Sequence, residues 1–331
     1  MVISRRRFIT GLVIALTPPG ATASAQEYKA QQARVYRIGV ILQGGPYFAA
    51  IDGLRDGLRE LGLEEGKQFV LHVRDAKGDL KSVEAAARSL EGEKVELIYP
   101  VTTSITLATK RATKNVPIVF YAGGDPVAFG LVESFRKPGG RLTGIYGRLT
   151  DLTAKRLQLL KEMIPRLRRV VIFYSPDNPT AQRAVKIARD ASRQLKVELV
   201  ERLVASVEEL RTGLRALRPG EADALFYVSD AMVGSQEELI IETARAKRLP
   251  TMFADKDSTT KGGLASYGMS YYTIGRLSAG YVQRILLGAD LGNMPVEQFD
   301  RPQFVINLKT AKAVGLTIPQ SVLTRADEVI R

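Results

Sequence analysis

A chain of 331 residues with 45% hydrophobic and 25% charged residues has the length and balance of a two-domain globular protein. The absence of cysteine excludes disulfides, zinc–thiolate sites, iron–sulfur clusters and cysteine nucleophiles, and one histidine, His72, is all that a histidine-based metal site or serine triad would have. The formal net charge of +13 raises the question of a polyanionic partner.

The N-terminus reads as an export signal. Ser4-Arg5-Arg6-Arg7-Phe8-Ile9-Thr10 is a charged segment with a twin-arginine pattern, Gly11 to Leu16 is a short apolar run, and Ala23-Ser24-Ala25 is an A-x-A cleavage site before Gln26. The apolar run is too short to span a bilayer. Cleavage after about Ala25 and a periplasmic location are expected; the twin-arginine and general secretory routes both remain open.

From Val35 onward strand and helix patterns alternate. Strands are predicted at 35–42, 69–73, 95–101, 117–121 and 142–146, with helices at 47–61, 79–90 (Asp79 as N-cap), 105–114 and 127–135. His72 falls in the second strand, at a sheet edge or on a polar face. A second series follows, with helices at 152–163, 180–195, 207–217 and 235–248 between strands at 169–174, 197–204, 224–228 and 251–253. The tail carries strands at 263–267 and 304–307 and helices at 274–286 and 308–314. Two such series predict an α/β protein of two doubly wound parallel-sheet lobes joined by a hinge. Basic residues are spread over the helices, many beside acids, as at Lys155-Arg156, Arg166–Arg169 and Glu242–Arg245. With no aromatic-interleaved basic patch, a solvated surface is expected and no nucleic-acid face.

Ligands of open α/β sheets bind beyond the carboxyl ends of the strands. The residues there form the candidate ligand set: Gln43 and Gly44; Thr102, Thr103 and Ser104; Asp125; Ser175 and Asn178; Asp230; and Asp255. Small polar residues ahead of helix N-termini suit a ligand carboxylate, and Asp125, Asp230 or Asp255 suits a ligand amine. Each is equally placed to cap a helix or close a turn. Tyr47, Phe48, Tyr121, Tyr146 and Tyr267 are divided between stacking on a flat ligand and filling the core. No phosphate-binding loop, dinucleotide fingerprint, nucleophile elbow or close acidic pair occurs, so no catalytic residue, cofactor or metal is expected.

Several segments resemble one ABC-transporter substrate-binding family, whose members include tryptophan- and tyrosine-binding proteins. They are Asp125-Pro126-Val127-Ala128-Phe129-Gly130-Leu131-Val132, Lys137-Pro138-Gly139-Gly140-Arg141-Leu142-Thr143-Gly144, the 155–161 helix, Gly262 to Gly268, and Ile306 to Leu316. Arg141 stands where the family pattern has Asn. The resemblance implies a type I periplasmic-binding-protein fold with a three-segment hinge. Lobe 1 would hold 35–147 plus about 268–300, and lobe 2 would hold 148–267 plus about 301–331. It also implies a permease and an ATPase as partners; a small-molecule ligand and a monomer are expected. A sensor for a membrane receptor and an exported enzyme are the alternatives; a DNA-binding repressor fits neither the export signal nor the lack of room for a helix-turn-helix before Val35.

Overall fold

A computed structural model describes residues 35–331; the predicted signal lies outside the described residues. The first strand, β1 (Tyr36–Leu42), is almost wholly buried, as a continuous apolar run in a parallel sheet requires. It pairs with β2 (Phe69–Asp75) on one side and β3 (Leu97–Pro100) on the other; β4 (Ile118–Ala122), β5 (Leu142–Tyr146) and the two-residue β11 (Glu297–Gln298) continue outward, all parallel. The sheet order is β11-β5-β4-β3-β1-β2. His72 lies on edge strand β2, with Nδ1 3.3 Å from Glu93 Oε2.

The second sheet repeats this plan with β6 (Arg169–Tyr174), β7 (Glu198–Leu203), β8 (Ala224–Phe226), β9 (Thr251–Phe253), β10 (Ala265–Gly268), β12 (Gln303–Asn307) and β13 (Glu328–Ile330), in the order β13-β12-β10-β9-β8-β6-β7. The molecule thus has two α/β lobes, as the alternation predicts. One pairing departs from the parallel expectation: β12 runs antiparallel to β10. The connectivity explains it. β10 leads out of the second sheet and β12 returns from the first, so the two run in opposite directions across the same edge.

The helices are α1 (Phe48–Glu60), α2 (Leu80–Gly92), α3 (Thr103–Ala112), α4 (Thr153–Met163), α5 (Pro179–Leu195), α6 (Val207–Ala216), α7 (Ala231–Ser235), α8 (Glu237–Ala246), α9 (Lys256–Thr260), α10 (Tyr271–Leu286), α11 (Leu308–Ala313) and α12 (Gln320–Leu323). Asp79 caps α2, accepting from Lys81 N, and Asn178 with Pro179 opens α5. Two predicted helices change. The 127–135 segment is a turn, because bonds from Phe129 N to Asp125 O and Leu131 N to Pro126 O close it and Gly130, at φ 66°, reverses the chain. The 235–248 helix splits at Gln236, since Asp230 starts a separate short helix one turn earlier.

Helix α10 follows the strands of the second sheet yet packs along α1, beside the first. Glycines let the two backbones touch. A Cβ on Gly53 would lie 1.9 Å from Tyr272 O, and one on Gly275 1.9 Å from Ala50 O. Ala in an exposed helix is favoured over Gly by about 1 kcal/mol. Here the sign reverses. Gly275→Ala is expected to destabilise the protein by about 1–3 kcal/mol or more, read from urea unfolding, because the helices must separate.

Candidate functional site

In each sheet the strand order reverses at one place, between β1 and β3 and between β6 and β8. Crossovers leave such a point toward opposite faces and open a crevice at the carboxyl ends. Here the two sets of loops face one another. An outer cleft of about 610 Å³ is lined from one side by Gln43, Ser104 and part of the 77–84 segment, and from the other by Ser175, Asn178, Ser206, Asp230 and Met232. Ser104, Asn178 and Asp230 also line an inner chamber of about 30 Å³, which has room for a water or two. Its remaining wall comes from Tyr47, Thr102, Thr103, Tyr121, Gly123, Leu149, Thr180, Tyr227, Ser229, Ala231 and Tyr271.

Of the residues singled out by sequence, Gln43, Thr102, Thr103, Ser104, Ser175, Asn178 and Asp230 come together around these two spaces. Gly44 adopts φ 80° and lines neither space. Asp125 accepts from Val127 N and Ala128 N and serves its own turn. Asp255 caps α9 through Ser258 N. Asp230 is fully buried; its Oδ1 accepts from Met232 N and Val233 N, and its Oδ2 from Ser175 N. Burial pushes its carboxyl above the usual range, and those donors draw it part of the way back. Asn178 Oδ1 accepts from Thr180 N and Ala181 N. The carboxylates and the amide oxygen at these strand ends are therefore engaged in capping, and the open backbone positions belong to the start of α3, which has no side-chain cap.

The aromatics divide as well. Tyr47 and Tyr121 line the chamber, whereas Phe48 is exposed, Tyr146 donates to Asp151 and Tyr267 packs on Phe304. Tyr271 meets both Tyr47 and Tyr121 edge-on, at centroid distances of 5.1 and 5.8 Å. Tyr227 donates to Asp230 O at 2.9 Å. Burial raises all four phenols well above their usual value, so they stay neutral. Among the described residues, the Tyr121 hydroxyl, Ser229 Oγ and Thr180 Oγ1 have no hydrogen-bond partner. A chamber with neutral aromatic walls and unspent hydroxyls suits a flat, polar-ended molecule.

Sequence reading missed Tyr227, Tyr271 and, most notably, Arg156. The surface expected for Lys155-Arg156 is corrected here: Arg156 is fully buried, with Nη1 bonding Leu149 O at 3.0 Å, Nη2 bonding Thr153 Oγ1 at 3.1 Å and Nε unpartnered. A signal existed, since Arg156 falls four residues before Leu160 and seven before Met163, on the apolar stripe of α4.

A model of the family described as ABC transporter substrate binding protein matches residues 37–330. The chain belongs to this family of solute-binding proteins. It is 26% identical over 299 residues to a tyrosine-binding protein of Clostridioides difficile (strain R20291), covering 90% of this chain and 86% of the relative. It superposes with TM-score 0.80 at 28% identity on a conserved domain protein of Vibrio cholerae, covering 90% of this chain and 99% of the other. Against an ABC domain in complex with L-Trp from Streptococcus pneumonia the TM-score is 0.78 at 24% identity, covering 89% and 99%.

Beside the chamber, Ser258 Oγ lies 2.6 Å from Glu237 Oε2 and 2.8 Å from Asp255 Oδ2. One hydroxyl hydrogen serves only one of them, so the other carboxyl must carry a proton. Lys261 bonds the second oxygen of Glu237, which leaves Asp255 as the protonated group. Burial, then the Glu237 charge, pushes the Asp255 carboxyl up from 3.8 to about 7. A raised carboxyl means that the folded state holds the extra proton, so this group's contribution falls as pH rises from about 4 to about 7. Asp255→Asn keeps the cap oxygen and removes the titration. Unfolding free energies across that window should show the variant gaining on the parent as pH rises and levelling above it.

Proposed function

We propose that the protein is the extracytoplasmic solute-binding component of an ABC importer. It would close its lobes over an amino acid or aromatic carboxylate and release it chemically unchanged. The observation that carries this reading is the meeting of two switch points around one aromatic chamber. On this reading lobe 1 is 35–147 with 268–300, lobe 2 is 148–267 with 301–331, and the connections between them are the hinge. Gln43, Thr102, Thr103, Ser104, Ser175, Asn178 and Asp230 frame the ligand, joined by Tyr121, Tyr227 and Tyr271.

A chamber of about 30 Å³ admits no amino acid, so loading requires the lobes to part, and the loaded clamp closes less tightly than this one. A ligand touching both lobes binds the closed arrangement better and shifts the population toward it. Two solved structures of equal sequence identity, each 24% with 89% of this chain covered, support a closed state here. The L-Trp complex superposes at 0.78, while the ligand-free, open structure of a Clostridium difficile substrate binding protein does so at 0.58. The tyrosine-binding relative and the ring-lined wall support an aromatic ligand. The protein acts as a periplasmic monomer, handing its cargo to a permease and ATPase at the inner membrane, and it performs no catalysis.

Two experiments test this. In thermal melts L-tyrosine or a related aromatic acid at 100 times its Kd should stabilise the protein by about 2.7 kcal/mol, with the ligand recovered intact and the radius of gyration reduced. Chemical conversion of the stabilising compound overturns the reading. In the native host the mature chain should begin at Gln26 in the periplasmic fraction, and Arg5→Lys with Arg6→Lys should retain the precursor in the cytoplasm. Undiminished export of that variant assigns the general secretory route instead.

A further inference from the structure

We propose that the cargo is an anion, drawn into the chamber by the buried Arg156 guanidinium through a ligand carboxylate, and that a ligand amine is dispensable. This rests on the chamber being the ligand site, and it adds the charge class of the ligand and the residue that sets it.

Arg156 has 0% exposure and, among the described residues, no carboxylate partner. Its bonds go to a carbonyl and a hydroxyl, and Nε bonds nothing. Its Nη1 bonds the carbonyl of Leu149, a wall residue, and burial holds its pKa below the ordinary arginine value. A buried charge without a counter-charge is costly, and proteins ordinarily supply a partner. Here the described residues do not.

The opposite charge has no comparable opening. Asp230, the one wall carboxylate, already accepts three backbone N–H bonds. Asp255 is spent on Ser258 and stands outside the wall. The uncapped start of α3, at Thr102–Ser104, adds partial positive charge. The inner chamber therefore offers uncompensated positive potential and no free carboxylate, the side chains of Asp79, Glu84, Asp177 and Glu208 lining only the outer cleft. A carboxylate completes this arrangement, whereas an ammonium group finds only neutral hydroxyls in the chamber and no carboxylate that is not already in use.

Calorimetry with four probes tests the inference on the unaltered protein: L-tyrosine, 3-(4-hydroxyphenyl)propionate, L-tyrosinamide and tyramine, with the matching indole series. The propionate should bind about as tightly as the amino acid, and the amide and amine on the order of 100-fold more weakly. Arg156→Met should erase that preference while its unliganded melting temperature holds or rises, because a lone buried charge has been removed. An arginine serving only to brace Leu149 would instead lower the melting temperature and leave the preference intact. Equal binding of tyramine, or binding of tyrosine without the propionate, overturns the charge assignment and leaves the solute-binding reading standing. Should Arg156→Met fail to fold, the parent series still decides. If no probe binds and no small molecule is released on denaturing protein from its own host, the solute-binding reading itself falls.

Discussion

The strongest constraint on this molecule is that the first backbone N–H groups of each helix have no partner within the helix. Doubly wound sheets bring those groups to the carboxyl ends of the strands, where the cleft also lies. Polar residues at the strand ends therefore have two competing uses. Asn178, Asp230 and Asp255 are used first as caps, and Asp125 closes a turn. What remains for a guest is decided by what the caps leave over. Backbone donors at α3, unspent hydroxyls and neutral phenols remain, while the one carboxylate of the chamber wall is occupied.

That competition also explains how far the sequence could be read. Strand and helix existence follow from periodicity, so β1, β6 and α5 stand within a residue or two of their predicted places. Residues following each strand were visible as a set, because small polar residues cluster there. Their individual roles were not visible, because an Asp that caps and an Asp that contacts a ligand have the same local sequence. Asp230 lies in the wall and Asp255 does not, yet both follow short apolar strands and precede short helices. Arg156 was hidden by its neighbour. Beside Lys155 it resembles surface charge, and only its phase relative to Leu160 and Met163 places it inside. Tyr271 and Tyr272 are adjacent, and which of the two turns inward depends on the partner helix α1.

Fold and site are coupled through that partner. The Gly53 and Gly275 contacts bring α10 against α1 at backbone distance, and this fixes Tyr271 between Tyr47 and Tyr121. The segment after α10 is secured to the first sheet by Thr143 Oγ1 donating to Met294 O at 2.7 Å and Tyr281 donating to Pro295 O at 2.6 Å. Arg148 Nη1 then reaches Asp300 at 2.7 Å, joining two of the connections between the sheets. Both partners are partly exposed, so this ion pair contributes modestly to stability; its effect is to hold two strands of the connection in register.

Backbone strain marks the same place independently. Thr102 adopts φ 96° and ψ 157°, a region that residues other than glycine rarely occupy, and a β-branched side chain makes it less favourable still. Such a conformation costs about 1–3 kcal/mol and persists only where the surroundings over-determine it. They do so here. Thr102 N donates to Tyr121 O at 3.0 Å, and Thr102 O accepts from Thr106 N at 3.0 Å and Thr106 Oγ1 at 2.7 Å. A glycine would meet the dihedral requirement without strain but would bring no hydroxyl. The retained threonine places Oγ1 in the chamber wall, 3.4 Å from Ser104 Oγ, at the start of α3. Strain at this one residue is thus tied to the polar lining it supplies, in a seam where most other polar atoms are already committed to holding the fold.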